Sequence, residues 1–205
     1  MIGTLWLVSC ISYLVGALPA GLLIARFFGI SDIRNHGSGN IGATNVVRVL
    51  GVRFFFIVLL ADALKAYLVV YMISLYVSDH TFAMAMGSST STDSAFMLVL
   101  WAAWFTLIGN CYSPFLQFNG GKGGATLCGI SYALSPILGL YFIASWVLIF
   151  VVTRVSAIAT IGTMLLILIA AVAGLLVPYE LFFIPAALLV IIRHKNNILF
   201  ALRGS

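Results

Sequence analysis

Residues 54–77 read FFFIVLLADALKAYLVVYMISLYV, an apolar run whose only charged side chains are Asp62 and Lys65. A helix needs about 20 apolar residues to cross about 30 Å of hydrocarbon, so this run is long enough for one crossing. The whole chain of 205 residues has the same character, being 63% hydrophobic and only 7% charged. Globular chains carry about 25% charged residues. We therefore expect an all-α integral membrane protein, and the composition excludes a water-soluble one.

Further apolar windows extend this prediction along the chain. Clear spans lie at 3–28, 95–118 and 155–177. Residues 125–152 form an apolar stretch that is longer than one crossing requires and contains Pro136. The last window, 180–192, is short for a span.

The placement of positive charge decides how these windows are arranged, because Lys and Arg concentrate in cytoplasmic loops. Nine of the ten Lys and Arg residues fall on one side only if 125–152 turns back near Ser135-Pro136. The result is seven transmembrane helices in a single domain, residues 1–205, with the N-terminus outside and the C-terminus in the cytoplasm. Lys65 alone is left within a span.

Composition also argues against other classes of protein. The net charge is +5, but the basic residues are scattered singly, so we expect no nucleic-acid partner. The three cysteines, Cys10, Cys111 and Cys128, lie in apolar stretches without metal-ligand spacing. We interpret them as small core residues, and we expect neither a metal site nor a cofactor.

The first of three polar segments runs from Asp32 to Arg48 and is rich in small residues. Its candidate ligand-binding residues are Ser38, Gly39, Asn40, Gly42, Thr44 and Asn45. Such a backbone can turn sharply and present N–H groups to an anion, and Arg48 can bind phosphate oxygens bidentately. His36 is a supporting candidate only. The alternative is an ordinary loop between two helices.

The second segment surrounds one lysine, Lys122, with four glycines and precedes a helical run. Its candidates are Gly120, Gly121, Lys122, Gly123, Gly124 and Thr126. Glycines allow close backbone approach, a helix start offers unpaired N–H groups, and the lysine adds a full charge, so the segment suits an anionic group. The spacing is not that of a Walker A loop. A flexible cytoplasmic turn is the alternative.

The third segment, Arg193 to Asn197, ends the last apolar window. His194 and Asn197 are three positions apart, so on a helix they share a face. Positive-inside placement puts this segment and the other two at the same membrane face. Within the membrane, Asp62 and Lys65 have the same spacing and are predicted to form a structural ion pair, with a proton or ion pathway as the alternative.

The three segments form an anion site without an evident nucleophile. No Ser/His/Asp set, HExxH motif or paired carboxylates appear in the sequence. Such a site binds and positions, so an enzyme built from it needs a substrate that is already activated.

Together the motifs closely resemble the bacterial acyl-phosphate:glycerol-3-phosphate acyltransferases over essentially the whole chain. The matching stretches are Gly37-Ser-Gly-Asn-Ile-Gly-Ala-Thr-Asn45 with Arg48, Gly120-Gly-Lys-Gly-Gly-Ala-Thr126, His194-x-x-Asn197, Ser113-Pro114-Phe115 and Gly16-Ala-Leu-Pro19. The resemblance implies seven helices and transfer of a fatty acyl group from acyl phosphate to the sn-1 hydroxyl of glycerol 3-phosphate. It also implies a multi-pass protein of the bacterial cytoplasmic membrane with its active site facing the cytoplasm.

The resemblance assigns the roles of the site residues. It makes Ser38, Arg48, Lys122, His194 and Asn197 the catalytic set. Lys122, Arg48 and the 120–124 backbone hold phosphates, the 39–45 loop orients the substrates, and His194 and Asn197 complete the pocket. The hydroxyl proton goes to His194 or, in the favoured route, to the donor phosphate.

This chain departs from the family pattern at several positions. Gly-His-Asn is replaced by Gly109-Asn110-Cys111, lysines flanking the glycines are replaced by Gln117 and Asn119, and a glutamate is replaced by Asn196. The first two changes are expected to weaken substrate attraction and the last to alter local packing.

Two other functions compete with this interpretation. A transporter or channel for an organic anion is the main alternative, although no internal repeat of the kind common in transporters is visible. A structural or assembly subunit is weaker, because it leaves the glycine motifs unexplained. The expected partners are the two substrates and the lipid bilayer, and an obligate protein partner is left open.

Overall fold

The computed structural model describes residues 2–37, 39–85 and 91–202, which form helices and loops without a β-strand. The helices within these ranges are α1 (Ile2–Ala17), α2 (Ala20–Phe27), α3 (Ala43–Leu50), α4 (Arg53–Ala85), α5 (Ser91–Cys111), α6 (Gly124–Leu134), α7 (Pro136–Thr153), α8 (Ser156–Val172), α9 (Glu180–Arg193) and α10 (Lys195–Leu202). Short 3-10 turns lie at Ile33–Asn35 and Pro114–Leu116.

Three segments are long and apolar enough to cross a bilayer: Arg53–Ser78, Ala95–Leu116 and Pro136–Thr153. Helices α1 and α2 form a fourth candidate together, bent by 40° at the break between them. Helices α6 and α8 are apolar but shorter, and α9 has 14 residues. The all-helical membrane class is therefore supported, whereas the count of seven crossings still depends on charge placement.

The apolar stretch 125–152 is divided as the charge argument predicted. Helix α6 ends at Leu134, Ser135 is extended, and α7 begins at Pro136. Proline is favoured at the first helical position because its missing N–H has no intrahelical acceptor there. Gly139 of α7 lies directly against Tyr132 of α6, so the two helices pack on each other and do not form one long rod.

Glycines bring α1 and α5 into close contact. A Cβ on Gly16 would overlap the main chain of Thr106, and one on Gly109 would overlap the main chain of Tyr13. Ser113, two residues after the end of α5, donates a hydrogen bond of 2.7 Å to the carbonyl oxygen of Ala17. These contacts fix the end of α5, from which the second polar segment departs.

The core is apolar and lies between α4, α5, α6, α8 and α9. Phe182 and Phe183 of α9 are almost completely buried in it. A second, smaller cluster around Ile33, Val46 and Leu116 lies beneath the first polar segment. Outward-facing side chains are also apolar, as Leu148 (69% exposed) and Ile169 (65% exposed) show, which is the arrangement expected where lipid is the solvent.

The predicted ion pair within the membrane is confirmed. Lys65 Nζ lies 2.7 Å from Asp62 Oδ1, and both side chains are largely buried. The cysteine interpretation holds in part. All three thiols are free, Cys111 is buried and Cys128 partly buried, but Cys10 is exposed on the surface of α1 and is not a core residue.

Candidate active site

The glycine loop, residues 119–124, joins the Pro114–Leu116 turn to α6. Its first two glycines use their amide groups inside the protein. Gly120 N–H donates to Cys111 O at 3.2 Å, and Gly121 N–H donates to Asn110 O at 2.8 Å. These two amides hold the loop against the end of α5, and the phosphate-binding role of Gly120 and Gly121 stays a prediction.

Glycine is required here by close approach and by backbone conformation. A Cβ on Gly120 would overlap the main chain of Asn110 and Cys111, and a Cβ on Gly121 would lie 2.9 Å from Asn110 Nδ2. Gly123 has a φ of 85°, in the left-handed region that side chains disfavour. The loop can take this path only without side chains at these positions.

Arg193 was missed as a functional candidate because the sequence presents it only as a cytoplasmic positive charge. In the structure its Nη2 donates to Gly120 O at 2.9 Å and to Gly121 O at 3.2 Å. Its guanidinium also stacks over the Tyr112 ring at 5.1 Å. These partners are more than 70 positions away in the chain, so no local pattern reports them.

The free backbone amides of the segment lie at the start of α6. The first bond onto the loop is Leu127 N–H to Gly123 O, so the amides of Gly124, Ala125 and Thr126 have no intrahelical acceptor. Within the described chain, the Thr126 hydroxyl is buried without a hydrogen-bond partner. Orphan N–H groups at a helix start favour an anion.

Lys122 lies within the glycine loop and contacts α10. Its Nζ donates a hydrogen bond to Asn197 Oδ1, joining two of the predicted motifs. Burial lowers the pKa of Lys122, and the nearby charges of Arg193 and Arg48 lower it further. Three cations thus converge where an anionic ligand would relieve their mutual repulsion.

His194 is buried at the end of α9, with 5% of its surface exposed. Its Nδ1 lies 2.8 Å from Val190 O. A carbonyl oxygen can only accept, so Nδ1 carries the proton and the neutral ring keeps a lone pair on Nε2. Burial, with smaller contributions from Lys122 and Arg193, lowers the pKa of His194 to about 4. The ring is therefore neutral near pH 7.

The first polar segment is held mainly by its own residues. Asp32 accepts from the Arg34 guanidinium at 2.7 Å, and this hydrogen bonding lowers the pKa of Asp32 to about 2. Asn45 is buried and its amide nitrogen donates to Ile33 O and His36 O at 3.1 and 2.9 Å. Asn45 thus acts first on the loop itself.

The remaining candidates of this segment lie around that framework. Ser38 is outside the described residues. Gly39 has a φ of 71° and is exposed, Asn40 is half-buried, and Gly42 precedes α3 as its N-cap. Thr44 Oγ1 lies 3.3 Å from Ser156 Oγ, which brings the start of α8 to the segment and identifies Ser156 as a neighbour that the sequence did not indicate.

Arg48 is exposed on α3, and its positive charge is close enough to Lys122 to lower the pKa of that lysine. His36 is exposed, and its Nδ1 lies 3.3 Å from Asp32 O. This contact is within the first segment, as expected for a residue that supports the loop. The structure thus brings Arg48, Lys122, His194 and Asn197 into one region, bounded by α3, the glycine loop and the end of α9.

The family departures differ in their surroundings. Gln117, Asn119 and Asn196 are exposed, so the expected packing role of Asn196 is not supported. Asn110 is buried, and its Oδ1 accepts from Lys65 Nζ at 3.2 Å.

Comparison with known proteins adds a family to this geometry. The model of the glycerol-3-phosphate acyltransferase family matches residues 6–204. The chain belongs to this family. Its acyltransferase relatives include glycerol-3-phosphate acyltransferases of Ehrlichia canis, 33% identical over 95% of this chain and 93% of the relative, and of Methylobacillus flagellatus, 36% identical over 95% and 91%.

Solved structures of the family have the same fold. A crystal structure of PlsY (YgiH), an integral membrane glycerol 3-phosphate acyltransferase in its glycerol 3-phosphate form, aligns with a TM-score of 0.80 at 30% identity, covering 98% of this chain and 92% of that one. Its lysophosphatidic acid form aligns with a TM-score of 0.78 at 29% identity. The resemblance drawn from the motifs is confirmed, the chain is an acyltransferase of the membrane, and the transporter alternative is not favoured.

Proposed function

We propose that this acyltransferase moves a fatty acyl group from acyl phosphate to the sn-1 hydroxyl of glycerol 3-phosphate, forming 1-acyl-glycerol 3-phosphate and inorganic phosphate. The observation that carries this proposal is that Arg193 binds the carbonyl oxygens next to Lys122 and that the charges of Arg193 and Arg48 both act on the Lys122 ammonium. Both substrates bear phosphates, so the site must offset the repulsion between two anions, and a cluster of cations does so.

The reaction needs no protein nucleophile. The sn-1 oxygen attacks the carbonyl carbon of the mixed anhydride, and the resulting oxyanion collapses as the bond from the carbonyl carbon to the phosphate oxygen breaks. The phosphate departs with the bonding electrons. Positioning and charge stabilisation then supply most of the rate enhancement, which agrees with a site that has cations and amides but no evident nucleophile.

We assign the phosphate-binding role to Lys122, Arg48 and the first amides of α6. Gly123, Gly124 and Thr126 belong to this helix start, whereas Gly120 and Gly121 position it. Ser38 with Gly39, Asn40, Gly42 and Thr44 orients the glycerol phosphate and the carbonyl. His194 and Asn197 close the pocket, and Asn197 also holds the Lys122 ammonium in place.

The proton of the attacking hydroxyl goes to the phosphate of the acyl donor. His194 has a lone pair on Nε2, but a pKa of about 4 makes its ring a weak base near pH 7. Two neighbouring cations cause part of this weakness, and they would remain close during the reaction. The phosphate oxygens gain negative charge as the anhydride bond breaks, so they are the better acceptor.

The topology belongs to the same proposal. We infer seven crossings, with α1 and α2 as one bent span, the N-terminus outside, and the site on the cytoplasmic face of the bacterial inner membrane. Placing nine of ten Lys and Arg residues on that face supports this orientation. Labelling of single cysteines introduced at Arg154 and Asn196 by an impermeant reagent tests it, since both sites should be protected in intact cells and labelled in inverted vesicles.

Purified protein incubated with acyl phosphate and labelled glycerol 3-phosphate tests the reaction directly. Labelled 1-acyl-glycerol 3-phosphate should form together with one phosphate per product. Acyl-CoA in place of acyl phosphate is the matched control for donor choice and should yield no product. Absence of product, with flux of glycerol 3-phosphate into vesicles, would instead support a transporter.

A further inference from the structure

The two glycines at the start of the glycine loop have every backbone polar group engaged by the protein. The amides of Gly120 and Gly121 donate to carbonyl oxygens at the end of α5. Their carbonyl oxygens accept from Arg193 on the opposite side. The loop is therefore held on two faces, by α5 on one and by Arg193 on the other. These contacts fix the orientation of both peptide planes before any substrate binds.

The face toward α5 is linked to the ion pair within the membrane through Asn110. Lys65 Nζ pairs with Asp62, donates to Leu18 O at 2.6 Å, and donates to Asn110 Oδ1 at 3.2 Å. Asn110 in turn accepts the Gly121 N–H through its main chain, and its Nδ2 lies against Gly121. Lys65 thus ties α1, α4 and α5 together beneath the loop.

The face toward α9 depends on Arg193. Its planar guanidinium reaches two adjacent carbonyl oxygens at once, and the Tyr112 ring supports it from below. An ammonium cannot reproduce this geometry, because it is a point charge without a planar fork. Two carbonyl oxygens left free near the site would repel an anionic substrate, so Arg193 also removes an unfavourable field.

We propose that Arg193 and the Lys65–Asn110 pair are positioning residues that clamp Gly120 and Gly121, and thereby aim Lys122 and the start of α6 at the substrate phosphate. The inference rests on the proposed function for the identity of the ligand, but the clamp itself does not. It gives the Asp62–Lys65 pair a task beyond neutralising its own charges. It also makes Asn110, where this chain departs from the family pattern, part of the support of the site.

The decisive variants separate charge from geometry. Arg193→Lys keeps the positive charge but loses the fork, and Asn110→Ala removes the contact with Lys65. Tyr112→Leu removes only the ring beneath the guanidinium. It tests the same contact if Arg193→Lys does not fold. Lys195→Gln is the matched control, since Lys195 is an exposed cation two positions from Arg193.

Hydrogen–deuterium exchange of the folded protein reads out the clamp without any reference to activity. The amides of Gly120 and Gly121 should exchange slowly in the wild type and in Lys195→Gln, and about tenfold faster or more in Arg193→Lys and Asn110→Ala, because an opened amide exchanges at a rate set by its local stability. Tyr112→Leu should also increase the exchange rate of these amides, but by a smaller factor. Unchanged exchange in all three variants would overturn the clamp.

Steady-state kinetics then tests the consequence for the substrate. The KM for glycerol 3-phosphate should rise about tenfold in Arg193→Lys and Asn110→Ala with a much smaller change in kcat, the signature of lost binding common to ground and transition states. Faster exchange with an unchanged KM would overturn the link to the phosphate. A wild type that forms no product would refute the proposed function alone, and exchange would still decide the clamp.

Discussion

The two glycine-rich segments of this protein are similar in composition but are held in place in opposite ways. In the first, the fixing contacts are local: Asp32 with Arg34, and Asn45 with the carbonyl oxygens of Ile33 and His36. In the glycine loop, the contacts come from Asn110, Cys111 and Arg193, on two different helices.

The difference teaches that richness in glycine does not by itself indicate where an anion binds. Glycines provide amides, but they also provide close approach, and in the glycine loop the second use occupies Gly120 and Gly121. A segment held by its own residues should lose stability in small steps as single hydrogen bonds are removed. A segment held by other helices should be sensitive to added side-chain volume and to substitutions at distant positions.

The largest expected effect concerns the cation that each segment contributes. Lys122→Ala should lower kcat/KM by about 10²–10³-fold, since it removes a partly buried charge from the phosphate site, and Arg48→Ala should lower it by about tenfold or more. Acyl transfer in reconstituted membranes measures both. Lys195→Ala, an exposed cation on α10, should stay near the wild-type value. Near-wild-type transfer by Lys122→Ala at low substrate would refute the assignment.

Crowding should distinguish the segments next. Gly120→Ala should cost about 3 kcal/mol of stability, because the new methyl group overlaps the main chain of α5. Gly42→Ala should cost less than about 1 kcal/mol, since the nearest atom to its Cβ, Asn40 Nδ2, is 3.9 Å away and its φ is −72°. Thermal unfolding in detergent compares the two. Equal losses would mean that the loops are not supported differently.

Removing a local support of the first segment should have a moderate effect. Asn45→Ala leaves the carbonyl oxygens of Ile33 and His36 without their shared donor and should cost about 2 kcal/mol. Asn35→Ala, at an exposed position of the same segment, is the control and should cost little. A loss confined to Asn35→Ala would reverse the interpretation of Asn45.

Acid should weaken the region of the glycine loop before it affects the first segment. The pKa of His194 is lowered from 6.5 to about 4, so the unfolded chain takes up its proton first as pH falls. The stability that the neutral ring contributes is complete above pH 6.5 and is lost as pH falls toward 4. The wild type should lose about 1–2 kcal/mol between pH 7 and 5 relative to His194→Gln. Parallel melting curves of the two proteins across that range would argue against a buried neutral histidine.

The smallest effect should come from the ion pair of the first segment. Asp32→Asn should cost about 0.5 kcal/mol, because Asp32 and Arg34 remain partly exposed to water. Since the pKa of Asp32 is lowered to about 2, this contribution is present above pH 3.8 and disappears only as pH falls through 2. Melting temperatures of the wild type and Asp32→Asn at low and high salt check this contribution. The difference between the two proteins should be smaller at high salt.

Much of the site could be predicted from residues that lie close together in the chain. The pairing of Asp62 with Lys65 follows from helical spacing, and the helix break at Ser135-Pro136 follows from charge placement and proline chemistry. The convergence of Lys122 and Asn197 was expected from the family motifs. Arg193 was not identified as part of the site, because a cytoplasmic boundary already accounts for a lone arginine. The exposure of Cys10 was also missed, since every face of a lipid-embedded helix is apolar.

The sequence by itself determined the solvent, the helical class, the family and the set of candidate residues, because charge scarcity, apolar length and motif spacing are properties of the chain alone. Only the tertiary structure decided which glycine amides are bound within the protein and hold the loop. That division depends on hydrogen bonds from Gly120 and Gly121 to α5 and to Arg193. A backbone amide looks the same at every position of the sequence, and its partner is chosen by which carbonyl oxygen the packed helices bring within reach.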